Sequence, residues 1–259
     1  MRASESFAAR EVAVRERIHA AERLIVALDV AEPSAAFDIV GQLDGIASFF
    51  KLGPWLSFGR GFNELLDRLI DSKKRVFLDS KGCDIPETMR AGVASAASRG
   101  ISFLTIHGNG DVTESAMRAA LEGKEGSDLK LFAVTVLTSH DSADLQTAGY
   151  GPSVVDLALR RAEKAMRVGC DGVITSGHEA SAIKQKTLGL GREFLVVTPG
   201  IRPAGTKSED HKRAMTPGMA VTAGADYLVV GRPIIRNENP AKAAAAIIAE
   251  MQTAFDDLP

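Results

Sequence analysis

The chain has 259 residues, 45% hydrophobic and 25% charged, with a formal net charge of −2. That is enough to bury a large core, either as one α/β barrel or as two small domains. The near-neutral balance gives no reason to expect nucleic acid as a partner. No apolar run reaches the roughly 18 residues of a membrane helix. The two cysteines, Cys83 and Cys170, are too few for a disulfide framework and lack zinc-ligand spacing, which fits a reducing cytoplasm.

Residues 1–22 carry Arg10, Glu11, Arg15, Glu16 and Arg17 among scattered apolar positions. That is not the pattern of a signal peptide, and the stretch is expected to be a helical leader ahead of one domain over residues 23–259. From there, short apolar runs rich in β-branched residues recur at 24–28, 48–52, 76–78, 102–106, 131–136, 172–175, 194–197 and 227–230. Each lacks polar alternation, as parallel strands buried on both faces do. Helical periodicity fills the intervals, as at 62–72, 86–98, 154–168 and 240–255. Eight alternating units predict a single (β/α)8 barrel with an N-terminal helical extension. An open doubly wound sheet is the alternative, but no glycine-rich dinucleotide turn follows the first strand.

Chemistry in such barrels gathers at the C-terminal tips of the strands, and here those tips are polar. Asp29 ends the first strand and Lys51 the second, while Asp79, Lys81 and Asp84 follow the third. His107 ends the fourth and Thr138 and Ser139 follow the fifth. Arg202 follows the seventh, and Gly231 and Arg232 follow the eighth. Asp79 and Lys81 are two apart, so a regular strand puts them on one face, toward the barrel interior. Alone, these charges fit either a structural ion-pair network or a catalytic cluster. The loops after strands seven and eight often hold phosphate in barrels, and Gly231 lets an oxygen approach the backbone closely while Arg202 and Arg232 offer guanidinium forks. Residues 203–216 are polar and read as a lid over such a site.

Phe77-Leu78-Asp79, Lys81 and Asp84-Ile85-Pro86-Glu87-Thr88 resemble the active-site signature of the orotidine 5'-phosphate decarboxylase family. Further stretches match in the family's order: Val26-Ala27-Leu28-Asp29, Phe50-Lys51-Leu52-Gly53, Ala133 to Ser139, Val197-Thr198-Pro199-Gly200-Ile201-Arg202-Pro203 and Gly224 to Pro233. The resemblance implies a cofactor-free and metal-free decarboxylation of orotidine monophosphate in pyrimidine biosynthesis, with Lys81 as proton donor within an array of Lys51, Asp79, Lys81 and Asp84. It assigns Asp29 and Lys51 to ribose, Thr138 and Ser139 to the pyrimidine, and Arg202, Gly231 and Arg232 to phosphate. It implies a homodimer with shared active sites, in which Asp84 and Thr88 reach the partner's site. In the lid, His211 stands where the family commonly has Gln. Ser80, Gly82 and Cys83 replace bulkier residues around Lys81. One alternative is a related sugar-phosphate decarboxylase of the 3-keto-L-gulonate 6-phosphate type. Those enzymes use magnesium and carry an acidic residue where this chain has Lys51. The other alternative is a nucleotide-binding paralogue with impaired catalysis.

Overall fold

The computed structural model describes residues 19–109, 112–151, 153–204 and 213–258. Most of the expected N-terminal leader and the central part of the expected lid, including His211, lie outside these residues. Eight parallel strands close into a barrel in sequence order: β1 Leu24–Ala27, β2 Phe49–Leu52, β3 Arg75–Gly82, β4 Phe103–His107, β5 Lys130–Val134, β6 Gly172–Ile174, β7 Leu195–Thr198 and β8 Tyr227–Val230. The β1–β8 pairing, with Leu24 opposite Leu228 and Val26 opposite Val230, closes the ring and excludes the open sheet. Strand ends differ from the expected ones mostly by one or two residues. The exception is β3, which runs through Asp79, Ser80 and Lys81 to Gly82.

Helices cover the outside: α1 Ala20–Arg23, α2 Pro33–Gln42, α3 Pro54–Ser57, α4 Phe62–Asp71, α5 Pro86–Ser98, α6 Glu114–Gly123, α7 Ser142–Thr147, α8 Val154–Val168, α9 Gly177–Thr187, α10 Pro217–Thr222, α11 Arg232–Ile235 and α12 Pro240–Asp256. Several start on signals legible in the sequence. Proline occupies the first turn of α2, α3, α5, α10, α11 and α12, where its missing N–H costs nothing. Thr113, Ser153 and Asn239 accept backbone N–H groups as N-caps.

The strands are buried on both faces, and their period of two divides the interior into two cores. Leu24, Val26, Phe50, Leu52, Val76 and Leu104 face outward against the helices. Ile25, Ala27, Phe49, Phe77, Phe103, Phe132, Val197, Tyr227 and Val229 face inward. Phe49 meets Phe103 edge-on at 4.8 Å and Phe103 meets Tyr227 at 5.1 Å, the arrangement favoured by ring quadrupoles. The Arg75 guanidinium lies over Phe49 at 4.1 Å. These rings fill the lower half of the barrel, and a cavity lies at its C-terminal mouth.

Cys83 and Cys170 are both free. Burial pushes the Cys170 thiol up to about 12, so it packs as an apolar residue. No helix among the described residues is long and apolar enough to cross a membrane.

Candidate active site

The inward periodicity that places Phe49 and Phe77 deep in the barrel places Lys51 and Asp79 two residues further up, at its mouth. They line a cavity of approximately 490 Å³ together with Asp29, Lys81, Thr138, Ser139, Arg202, Gly231 and Arg232. Nine of the expected site residues therefore converge on one space.

The charges form a connected row. Lys51 Nζ donates to Asp29 Oδ1 at 2.9 Å and lies 3.6 Å from Asp79 Oδ2. Lys81 Nζ donates to the same Asp79 Oδ2 at 2.7 Å. The Lys51 and Asp79 side chains are only 11% and 13% exposed, so neither charge could persist there alone. Burial raises the Asp79 carboxyl, but Lys51, Lys81 and the Thr105 hydroxyl outweigh it and hold the group below its ordinary 3.8.

Asp79 and Lys81 meet, but not through the regular strand that their spacing suggests. Lys81 adopts the left-handed region, with φ 49°. The pairing slips from Leu78 opposite Leu104 to Gly82 opposite Ile106, so four steps of β3 span two of β4. Three hydrogen bonds to one residue replace the lost ladder. Thr105 Oγ1 accepts the Lys81 N–H at 3.0 Å and donates to Asp79 Oδ1 at 2.9 Å, and the Thr105 carbonyl accepts from Ser80 Oγ at 3.0 Å. A left-handed lysine in a bulge beside a charge cluster is the kind of stored strain found at functional sites. Thr105, fully buried, went unnoticed in the sequence because a threonine inside an apolar strand looks like any other β-former.

Across the mouth, Gly200 at φ 79° turns the chain after β7, a conformation that favours glycine, and Arg202 enters the cavity two residues later. A Cβ on Gly231 would meet Ala27 Cβ at 3.4 Å and Asp29 Oδ2 at 3.5 Å, so this backbone hugs the first strand. Trp55 and Arg236 also line the cavity and were missed. Trp55 lies on α3 just past the Lys51 tip, and Arg236 caps the end of α11, its N–H accepted by the Arg232 carbonyl at 3.1 Å.

Asp84 and Thr88 do not join this group. Both are exposed, and Asp84 Oδ1 accepts the Ile85 N–H at 2.7 Å. Within one chain, the row contains three of the four expected charged residues. His107 does not line the cavity, and His178 is exposed on the first turn of α9.

The family model described as "Orotidine 5'-phosphate decarboxylase / HUMPS family" matches residues 22–247. Among curated proteins, orotidine 5'-phosphate decarboxylase of Afipia carboxidovorans is 47% identical over 90% of this chain and 96% of its own length. The enzyme of the same name from Methylorubrum extorquens is 46% identical over 90% and 97%. Among solved structures, orotidine 5'-phosphate decarboxylase from Lactobacillus acidophilus matches with a TM-score of 0.76 and 33% identity, over 89% of this chain and 99% of that one. The closed barrel, the polar mouth and these matches agree, and the chain belongs to the orotidine 5'-phosphate decarboxylase / HUMPS family.

Proposed function

We propose that this protein is a carboxy-lyase that converts orotidine monophosphate to UMP and CO2, the step that completes the pyrimidine nucleotide. The observation that carries this reading is the Asp79 carboxylate held between the ammonium groups of Lys51 and Lys81 at the barrel mouth. In the reaction, the bond from C6 to the carboxylate breaks, CO2 departs and the electron pair stays on C6. A cation beside C6 stabilises that pair, and the Lys81 ammonium delivers a proton to it. Lys81 then recovers its proton from solvent. Asp29 and Lys51 suit the ribose hydroxyls, Thr138 and Ser139 the pyrimidine, and Arg202, Arg232 and the Gly231 backbone the phosphate.

The reaction needs no metal in this reading. The Lys51 ammonium lies between Asp29 and Asp79, where a divalent ion would have to sit to use both carboxylates. A fixed cation there opposes a second one, which favours this activity over a magnesium-dependent sugar-phosphate decarboxylation.

The site is proposed to be completed by a second copy of the chain. Asp84 and Thr88 are exposed around the N-terminus of α5 and do not line their own cavity, which suits entry into a partner's mouth. Trp55, Phe58 and Ile85 are 60%, 88% and 65% exposed and follow the adjacent strands β2 and β3 at the same end of the barrel. Large exposed apolar side chains of this kind mark contact surfaces. A homodimer fits these features, and the two free cysteines suit a cytoplasmic one.

The direct test is the loss of orotidine monophosphate absorbance on incubation with purified protein, with and without a strong chelator. Turnover that is equal in both supports the reading. Turnover abolished by the chelator and restored by magnesium would transfer the protein to the sugar-phosphate group, and no turnover would leave only nucleotide binding.

A further inference from the structure

Beside the cavity, under the loop that carries Arg202, lies a buried polar chain that the decarboxylation does not use. Glu179, on the first turn of α9, is fully buried. Its Oε1 is paired with the Arg213 guanidinium, and its Oε2 accepts from Thr175 Oγ1 at 3.2 Å. Thr175 lines the cavity, and its hydroxyl accepts from Thr135 Oγ1 at 3.1 Å. The Arg213 carbonyl accepts from Ser176 Oγ at 3.4 Å. Two residues later, Met215 forms an isolated parallel bridge with Ile201, and its carbonyl accepts the Arg202 N–H at 2.8 Å. Met215 packs so closely on α9 that a Cβ added to Gly177 would overlap its Sδ.

These contacts run in one direction, from the α9 N-terminus through Arg213 and Met215 to the main chain of Arg202. A buried carboxylate is costly unless paired, and an apolar pair of similar size would fill the same space without that cost. What the ion pair adds is direction. Arg213 Nη1 is tied to Glu179 and the Arg213 carbonyl is tied to the Ser176 hydroxyl, so this residue and the backbone that follows it are held at two points on α9 and its N-cap. Arg202 sits 9% exposed at the end of this chain, and its N–H bond to Met215 is at the root of the side chain. A displacement at that root moves the whole lever that carries the guanidinium, whereas a fork must be placed within about half an ångström to recognise its ligand.

We infer that Glu179 is a positioning residue for phosphate recognition, acting through Arg213 and Met215 to set the main chain from which Arg202 reaches the cavity. The inference rests on the assignment of Arg202 to the substrate phosphate. It predicts that the Glu179–Arg213 link governs affinity for the phosphorylated form of the ligand and leaves the pyrimidine and ribose side of the cavity untouched.

The experiment compares wild type, Glu179→Gln, Arg213→Met and the double variant. Calorimetry measures affinity for UMP and for uridine, and steady-state kinetics measure KM and kcat for orotidine monophosphate. Glu179→Gln is expected to weaken UMP binding and raise KM by roughly tenfold to a hundredfold, the usual cost of a displaced positioning group. Uridine affinity and kcat should stay at the wild-type level, the signature of lost binding common to ground and transition states. Arg213→Met should do the same, and the double variant should be no worse than the weaker single, because both lesions break one link. If Glu179→Gln does not fold, Arg213→Met carries the same comparison, since burial already favours a proton on Glu179 and the carboxyl can go neutral once its partner is gone. Equal losses for UMP and uridine, or a fall in kcat at unchanged KM, would overturn the positioning role. A wild-type protein that binds UMP no better than uridine would instead overturn the phosphate assignment itself, and the inference with it.

Discussion

Asp79 faces two ammonium groups through one oxygen and a threonine hydroxyl through the other. Its folded value lies below 3.8 because these partners together outweigh the opposing effect of burial. A depressed carboxylate contributes stability above its unfolded value and loses it as the pH falls through the folded one. Asp79→Asn leaves two poorly hydrated cations without their anion, which should cost about 3 kcal/mol at neutral pH. In urea unfolding series, the gap between wild type and variant should shrink as the pH drops below 3.8. A gap that widens in acid would contradict the charge balance described here. Lys81→Ala tests the chemistry rather than the balance. Alanine keeps a Cβ at the same left-handed position, so the backbone strain is unchanged while the proposed proton donor is removed. Turnover should fall by more than about a hundredfold with the circular dichroism intact, and near-wild-type turnover would end the proton-donor assignment.

Between β3 and β4, a single residue, through its hydroxyl and its carbonyl, replaces a stretch of ladder. Thr105 ties Ser80, Lys81 and Asp79 to the neighbouring strand, and without it the bulged segment has fewer reasons to hold its shape. Thr105→Val keeps the volume but leaves the Lys81 N–H and one Asp79 oxygen without this partner. The expected stability loss is about 1–3 kcal/mol, the cost of stranding buried polar groups. Activity should fall further than stability does, because the Lys81 backbone is freed to leave the left-handed region. Measured under conditions where the variant is fully folded, an unchanged kcat would show that the latch serves only the fold. The same element explains Ser80, which stands where the resemblance leads one to expect a bulkier side chain: its hydroxyl is one of the three ties.

At the level of the whole molecule, the proposed shared site turns on Asp84. Asp29, Lys51, Asp79 and Lys81 are joined, and Asp84 stands exposed three residues beyond Lys81. If Asp84 serves the partner, Lys81→Ala and Asp84→Ala should each be inactive alone. After subunit exchange, mixed dimers then carry one site with both lesions and one with neither. An isologous interface guarantees this sorting, so activity should recover to about a quarter of wild type at equal mixing. Mass spectrometry confirms the exchange, and the decarboxylation rate is read against the mixing ratio. Heterodimers that form without recovery would place Asp84 in its own chain's chemistry.

The barrel was legible in the chain because buried parallel strands leave uninterrupted apolar runs, and eight of them alternating with helical periods admit few folds. The inward row was legible too, since a period of two carries Phe49 to Lys51 and Phe77 to Asp79 with no further information. So were the polar tips that now line one cavity, from Asp29 to Arg232. What local pattern did not reveal depends on neighbours distant in sequence. Thr105 meets Asp79 and Lys81 across a strand pairing whose register slips at that point, and no local pattern announces the slip. Arg236 and Trp55 enter the cavity only because short helices return over the mouth. Glu179 and Arg213 lie 34 residues apart and find each other only once α9 and the residue-213 segment pack together. Apolar periodicity acts within a few residues and can be read along the chain. Charge pairing and hydrogen-bond satisfaction act across space, and the closed barrel decides which groups share it.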